Sequence, residues 1–93
     1  MIRSFRDRWT EQIFTGKSVA KFPSGVQRVA QRKLQQLDIA TTLRDLMVPP
    51  GNRLEPLKGS RRGQHSIRIN DQYRVCFRWS EEGPQEVEIT DYH

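Results

Sequence analysis

Cysteine and histidine are scarce in this sequence: Cys76, His65 and His93 are the only three among 93 residues. An internal disulfide is thereby excluded, and so is a zinc site built from Cys and His in the usual numbers; no metal and no other cofactor is expected. No stretch of about 18 apolar residues is present. Residues 1–8 include Arg3, Arg6, Asp7 and Arg8, where the apolar core of a signal peptide would stand. A reduced, cytoplasmic protein without a membrane role is the expectation. A P-loop, a Rossmann glycine fingerprint, a nucleophile elbow and an HExxH motif are all missing, as is any internal repeat. Apolar residues make up only 34% of the chain, but eight of its side chains are aromatic. That is enough for one small core, and one domain spanning 1–93 is expected, with a stability of roughly 5–10 kcal/mol.

What the chain does have is arginine. Sixteen Lys and Arg stand against eleven Asp and Glu, a net charge of +5, and twelve of the sixteen are Arg. Residues 1–52 carry a net +5, residues 53–78 another +5, and residues 79–93 a net of −5. The planar guanidinium pairs two phosphate oxygens at once and stacks on bases, so the balance favours a polyanionic ligand. A merely solvated basic surface is the plainer alternative.

The first half reads as helical. Residues 2–5 suit a short edge strand; Asp7 caps a helix over about 8–14, which Gly16 stops. Ser24 caps a longer helix in which Val26, Val29, Ala30, Lys33, Leu34 and Leu37 recur at three-to-four spacing. Thr41 or Thr42 opens a third, short helix that ends at Pro49-Pro50-Gly51-Asn52. Beyond Arg53 the period changes to two: His65, Ile67, Ile69, then Val75, Phe77, Trp79, then Val87, Ile89. Three antiparallel strands follow, with turns at residues 70–72 and 81–84 and a loop over 59–63. The fold class expected is α+β, N-terminal helices on one face of a small, mainly antiparallel sheet. Ser66, Arg68, Arg74, Cys76, Arg78, Glu86, Glu88 and Tyr92 then share the opposite, cationic face, and Arg28, Arg32 and Lys33 form a basic stripe on the helical side.

The side chains able to do chemistry lie on that face and at the sheet's edges: Glu55, Lys58, Arg68, Arg74, Asp91, Tyr92 and His93. A carboxylate, several cations, a phenol and an imidazole match what RNA cleavage through the 2'-hydroxyl requires. The hydroxyl needs a base, the phosphorus fixed cations, and the departing 5'-oxygen an acid. Each residue also has a plainer role. Glu55 precedes a proline and Lys58 a glycine, as ordinary loop charges do; Arg74 and Arg68 can pair with acids across the sheet. His65, alternating with Ile67 and Ile69, reads as a packed structural imidazole, and Cys76 as a core thiol. Asp91-Tyr92-His93 offers a proton donor or acceptor and a flat ring for base stacking, the alternative being a solvated tail.

Three blocks in order, Arg53-Leu54-Glu55-Pro56-Leu57-Lys58-Gly59, Ser66-Ile67-Arg68-Ile69-Asn70-Asp71-Gln72-Tyr73-Arg74-Val75 and Asp91-Tyr92-His93, resemble the HigB-type toxins of the RelE/ParE superfamily. The resemblance implies a ribosome-dependent, metal-independent mRNA endoribonuclease that cuts the A-site codon. It implies as partners the 70S ribosome, mRNA and a HigA-type helix-turn-helix antitoxin, and through the antitoxin operator DNA. Carried over by position, Lys58 and Arg74 hold the scissile phosphate, His93 and Asp91 move protons, and Tyr92 orients a base. Arg53, Arg61, Arg62, Arg68, Asn70 and Arg78 are the expected RNA-contacting set. Two positions depart from the best-known members: Glu55 stands where they have His before Pro-Leu-Lys-Gly, and Asn70 where they can have Arg. A carboxyl group, with an unperturbed pKa of about 4.3, serves near pH 7 as a base more readily than as an acid, which makes Glu55 the candidate base. Two rival readings remain: a non-enzymatic toxin like the gyrase-inhibiting relatives, and a basic RNA- or ribosome-binding module that does not cut.

Overall fold

Asp7 accepts a hydrogen bond from the Thr10 N–H at 2.7 Å and so starts helix α1, Arg8–Phe14. Gly16, at φ +92°, stops it by returning the chain in a left-handed turn, with its N–H on the Ile13 carbonyl. The structure, a computed structural model, describes residues 1–91. The long helix α2, Ser24–Ile39, buries Ala30, Leu34 and Leu37 on the stripe that the spacing predicts. Its start differs from expectation: Ser24 is the first helical residue rather than the cap, and Pro23 in the cap position supplies no side-chain bond. Gln27 does the fastening instead. Its amide donates to the Val19 and Phe22 carbonyls and its Oε1 accepts from Val19 N, which ties residues 19–22 to the helix.

The third helix is a 3-10 turn, Leu43–Met47, held by a reciprocal cap between Thr42 and Asp45. Hydrogen bonds from the Thr42 and Thr41 N–H groups, and from the Thr41 hydroxyl, hold the exposed Asp45 carboxyl below its ordinary value of 3.8. A carboxyl depressed in the folded state stabilises above its unfolded pKa and loses that contribution as pH falls through the folded value. Asp45→Asn is therefore expected to melt below the parent at pH 7, with the gap closing on acidification below 3.8; thermal melts across that range check this. A gap of constant size would contradict it.

The sheet has four strands rather than three, in the order β1-β2-β3-β4 and antiparallel throughout: β1 Glu55–Pro56, β2 His65–Arg68, β3 Tyr73–Ser80 and β4 Gly83–Asp91. Strand β1 escapes the period-two test because it is two residues long. Residues 3–6 run beside β4, with a parallel bridge between Phe5 and Val87. Helices α1 and α2 cover one face of the sheet, burying Ile67, Ile69, Val75, Phe77, Val87 and Ile89. Burying each such side chain stabilises by about 1.5–3 kcal/mol relative to exposure. The buried Thr10 hydroxyl accepts from Ile89 N and locks α1 to β4.

The opposite, cationic face is less exposed than a bare sheet face. Ser66 and Cys76 are fully buried and Arg74 nearly so; Arg53 and Glu55 approach the Arg74 guanidinium, and the β1–β2 connection carries the buried Leu57 and Gln64. Its short 3-10 turn, Gly59–Arg61, sends Arg61 to Glu88 on β4 at 2.7 Å. Lys33 is a further correction to the expected basic stripe: it is 7% exposed and points into the protein, leaving Arg28 and Arg32 exposed on that side.

Candidate active site

Period-two geometry and the β2–β3 register place Arg74 opposite Arg68 and one step from Ser66, on the covered face. Arg74 Nε donates to Ser66 Oγ at 2.7 Å, and Nη2 donates to the Arg53 carbonyl at 2.8 Å. The Glu55 carboxylate stands 3.5 Å from the same Nη2, with the Arg74 side chain 10% exposed and that of Glu55 48% exposed. Pairing of Glu55 with Ser66 across β1 and β2 fixes that approach. Arg53 is in the left-handed region, at φ +47°, which turns its carbonyl toward the guanidinium. A buried cation thus meets a half-exposed carboxylate at the rim.

Around this pair the other expected residues take different positions. Lys58 is exposed two residues past β1 and opens the turn Gly59–Arg61. Asp91 lies opposite Tyr73, one register step from the Arg74–Thr90 pair, and accepts from Gln72 Nε2 at 3.0 Å. Tyr92 and His93 lie outside the described residues.

A family model described as the RelE-like toxin of the type II toxin-antitoxin system HigB matches residues 3–93. The chain belongs to this HigB-like toxin family. The toxin is 44% identical over 80 residues to Toxin HigB-1 of Vibrio cholerae serotype O1, covering 85% of this chain and 84% of that one. It is 32% identical to Endoribonuclease HigB of Proteus vulgaris over the full length of both. In fold it is similar to the solved YoeB-YefM complex from Staphylococcus aureus, with a TM-score of 0.62, 14% identity, and coverage of 100% of this chain and 98% of that one. A toxin of the type II class has an antitoxin for a partner. The sheet with helices on one face is thus the arrangement of a RelE-like toxin.

The toxin's remaining arginines divide into groups. At the far end of β3, Arg78 pairs with Glu86 at 3.2 Å, and Arg6 reaches both Glu86 and Glu88. With Arg61 on Glu88, three cations share two carboxylates; Arg78 stands roughly 13 Å along the strand from Arg74, whereas Glu88, opposite Cys76, is only about 7 Å along it. A β-bulge makes this possible. Between the Cys76–Glu88 and Arg78–Gln85 pairs, β4 has one extra residue, and Glu86 takes φ +52°. Gly63, at φ +90°, admits Arg78: a Cβ there would stand 2.6 Å from Arg78 Nη1. Arg68 pairs with the exposed Asp71, and Asn70 Oδ1 accepts from Gln72 N and Tyr73 N, which closes the β2–β3 turn. Arg53 is exposed beside Arg74, and Arg62 is exposed at the end of the turn Gly59–Arg61.

Two plainer readings fit the structure. His65 stacks on Phe77, with ring centroids 6.3 Å apart, away from the Arg74 cluster. Burial pushes the Cys76 thiol up, so it stays protonated near neutral pH. Among the described residues, no three His, Cys, Asp or Glu side chains converge to hold a metal ion, and no helix is long and apolar enough to cross a membrane. Ser66, the anchor of Arg74, is not among the side chains expected to do chemistry. Alternation puts it on the face of Arg74, and the β2–β3 register brings the two within hydrogen-bond reach.

Proposed function

We propose that this toxin is an endoribonuclease that cuts mRNA in the A site of the ribosome by attack of a 2'-hydroxyl on the adjacent phosphorus. The observation that carries the reading is the Arg74 guanidinium, held by Ser66 Oγ and the Arg53 carbonyl with the Glu55 carboxylate 3.5 Å away. A cation fixed before the reaction stabilises charge developing on the phosphoryl oxygens without reorganising during the step. Glu55 takes the proton from the 2'-hydroxyl, the 2'-oxygen bonds to phosphorus, and the 5'-oxygen leaves with a proton supplied by His93. The products are a 2',3'-cyclic phosphate and a 5'-hydroxyl. Lys58 neutralises the phosphate, Asp91 assists the proton transfer, and Tyr92 stacks on a base. Arg53, Arg61, Arg62, Arg68, Asn70 and Arg78 line the path of the RNA backbone. The Proteus vulgaris relative, named an endoribonuclease, supports the activity. A HigA-type helix-turn-helix antitoxin that also binds operator DNA is the partner, and the cytoplasm, where 70S ribosomes and mRNA meet, is the location.

Mapping mRNA 5' ends in bacteria after a short pulse of the toxin, beside a form lacking His93, tests the reading. Codon-phased cuts that disappear without His93 are expected. Growth arrest without new 5' ends would overturn it in favour of gyrase or translation block by binding alone.

A further inference from the structure

Between α2 and the segment leading into β1 lies a polar cluster that the cleavage chemistry does not use. Lys33, in the middle of α2 and 7% exposed, donates from Nζ to Asn52 Oδ1 at 2.5 Å, and Asn52 itself is fully buried. The Asn52 amide donates to the Leu46 carbonyl at 3.1 Å, to Gln36 Oε1 at 3.2 Å and to the Val48 carbonyl at 3.4 Å. One side chain therefore ties α2, the turn Leu43–Met47 and the segment leading to β1 together. Among the described residues no carboxylate pairs with Lys33, and Arg32 and Arg68 are its charged neighbours. Burial, with those two cations, lowers its pKa. Burying this amine carries a desolvation cost that its hydrogen bond to Asn52 has to offset.

The next residue along the chain links the cluster to Arg74. Asn52 is followed directly by Arg53, whose left-handed backbone aims its carbonyl at Arg74 Nη2, and two residues later comes Glu55, on the same Nη2. We propose that Lys33 and Asn52 are positioning residues for cleavage: their buried hydrogen bond sets the height and direction of the 52–55 segment, and through it the placement of Arg74 and Glu55. Neither touches RNA. The proposal rests on the reading of Arg74 and Glu55 as the reactive pair. Displacements of about 1 Å in such groups cost up to ~100-fold in rate.

The test compares the full-length toxin with Lys33→Met and Asn52→Ser, using Arg74→Ala as a reference, in single-codon cleavage of ribosome-bound mRNA. Lys33→Met keeps the volume and removes the buried charge; Asn52→Ser provides a second folded variant. Expected are a kcat lowered about 10-fold with KM unchanged, a melting temperature for Lys33→Met lowered because the buried Asn52 Oδ1 loses its donor but still above the assay temperature, and faster hydrogen exchange at Arg74 Nε–H by NMR. The double variant is expected to be no worse than the more impaired single one, since the two residues act as a unit. Parental kcat and parental Nε–H exchange in either folded variant, beside an inactive Arg74→Ala, would overturn the positioning role and leave the active-site reading intact. A fully active Arg74→Ala would overturn both.

Discussion

Arg74→Ala is expected to lower single-turnover cleavage by at least ~100- to 1,000-fold, the scale for removing a preorganised charge-stabilising donor from a reaction centre. The same change destabilises the toxin. Ser66 Oγ is fully buried, and it loses its donor along with the Arg53 carbonyl, so unfolding free energy is expected to fall by roughly 2–4 kcal/mol. Arg74→Lys separates charge from geometry. An ammonium retains the charge but lacks the planar fork that reaches Ser66 and Arg53 in two directions, so about 100-fold of the rate is still expected to disappear. Single-turnover assays at a temperature where every variant is folded, read beside denaturant titrations, check both effects. Lysine restoring the full rate would reduce the role of Arg74 to simple charge.

Glu55→Gln tests the other half of the pair. The substitution keeps shape and reach while removing the group that accepts the proton, and a general base contributes about 100- to 10,000-fold. A loss in that range, with KM unchanged, is expected. Stability should barely change, since the ion pair with Arg74 lies 3.5 Å apart with Glu55 half-exposed, and such pairs contribute at most about 1 kcal/mol. An unchanged cleavage rate would remove Glu55 from the role of base and leave it as a rim charge that orients Arg74.

The helices were legible in the sequence because their signals are local. Asp7, Gly16 and the capping box from Thr42 act within four residues of their own positions. Strands β2, β3 and β4 were legible from period two. Ser24 misled because a serine after proline has the composition of a cap, whereas the fastening comes from Gln27 reaching back to Val19 and Phe22. The covered face of the sheet was hidden for a different reason. Alternation assigns residues to a face but does not say what packs on it, and here Arg53 and Glu55 meet Arg74 while Ser66 and Cys76 are fully buried. Glu55 and Arg74 were singled out separately; their meeting depends on the Glu55–Ser66 and Ser66–Cys76 registers. Asn52 read as a residue that breaks structure after Pro-Pro-Gly, and Lys33 as part of a basic stripe. Only the tertiary packing of α2 against the segment before β1 pairs them.

The most direct test of the central claim uses purified toxin, a defined mRNA and 70S ribosomes, with the chemistry of the new ends determined. The account predicts cuts only when ribosomes are present, within the codon in the A site, leaving a 2',3'-cyclic phosphate upstream and a 5'-hydroxyl downstream. Cuts of free mRNA at the same rate, 5'-phosphate ends, or an intact message beside arrested translation would contradict it.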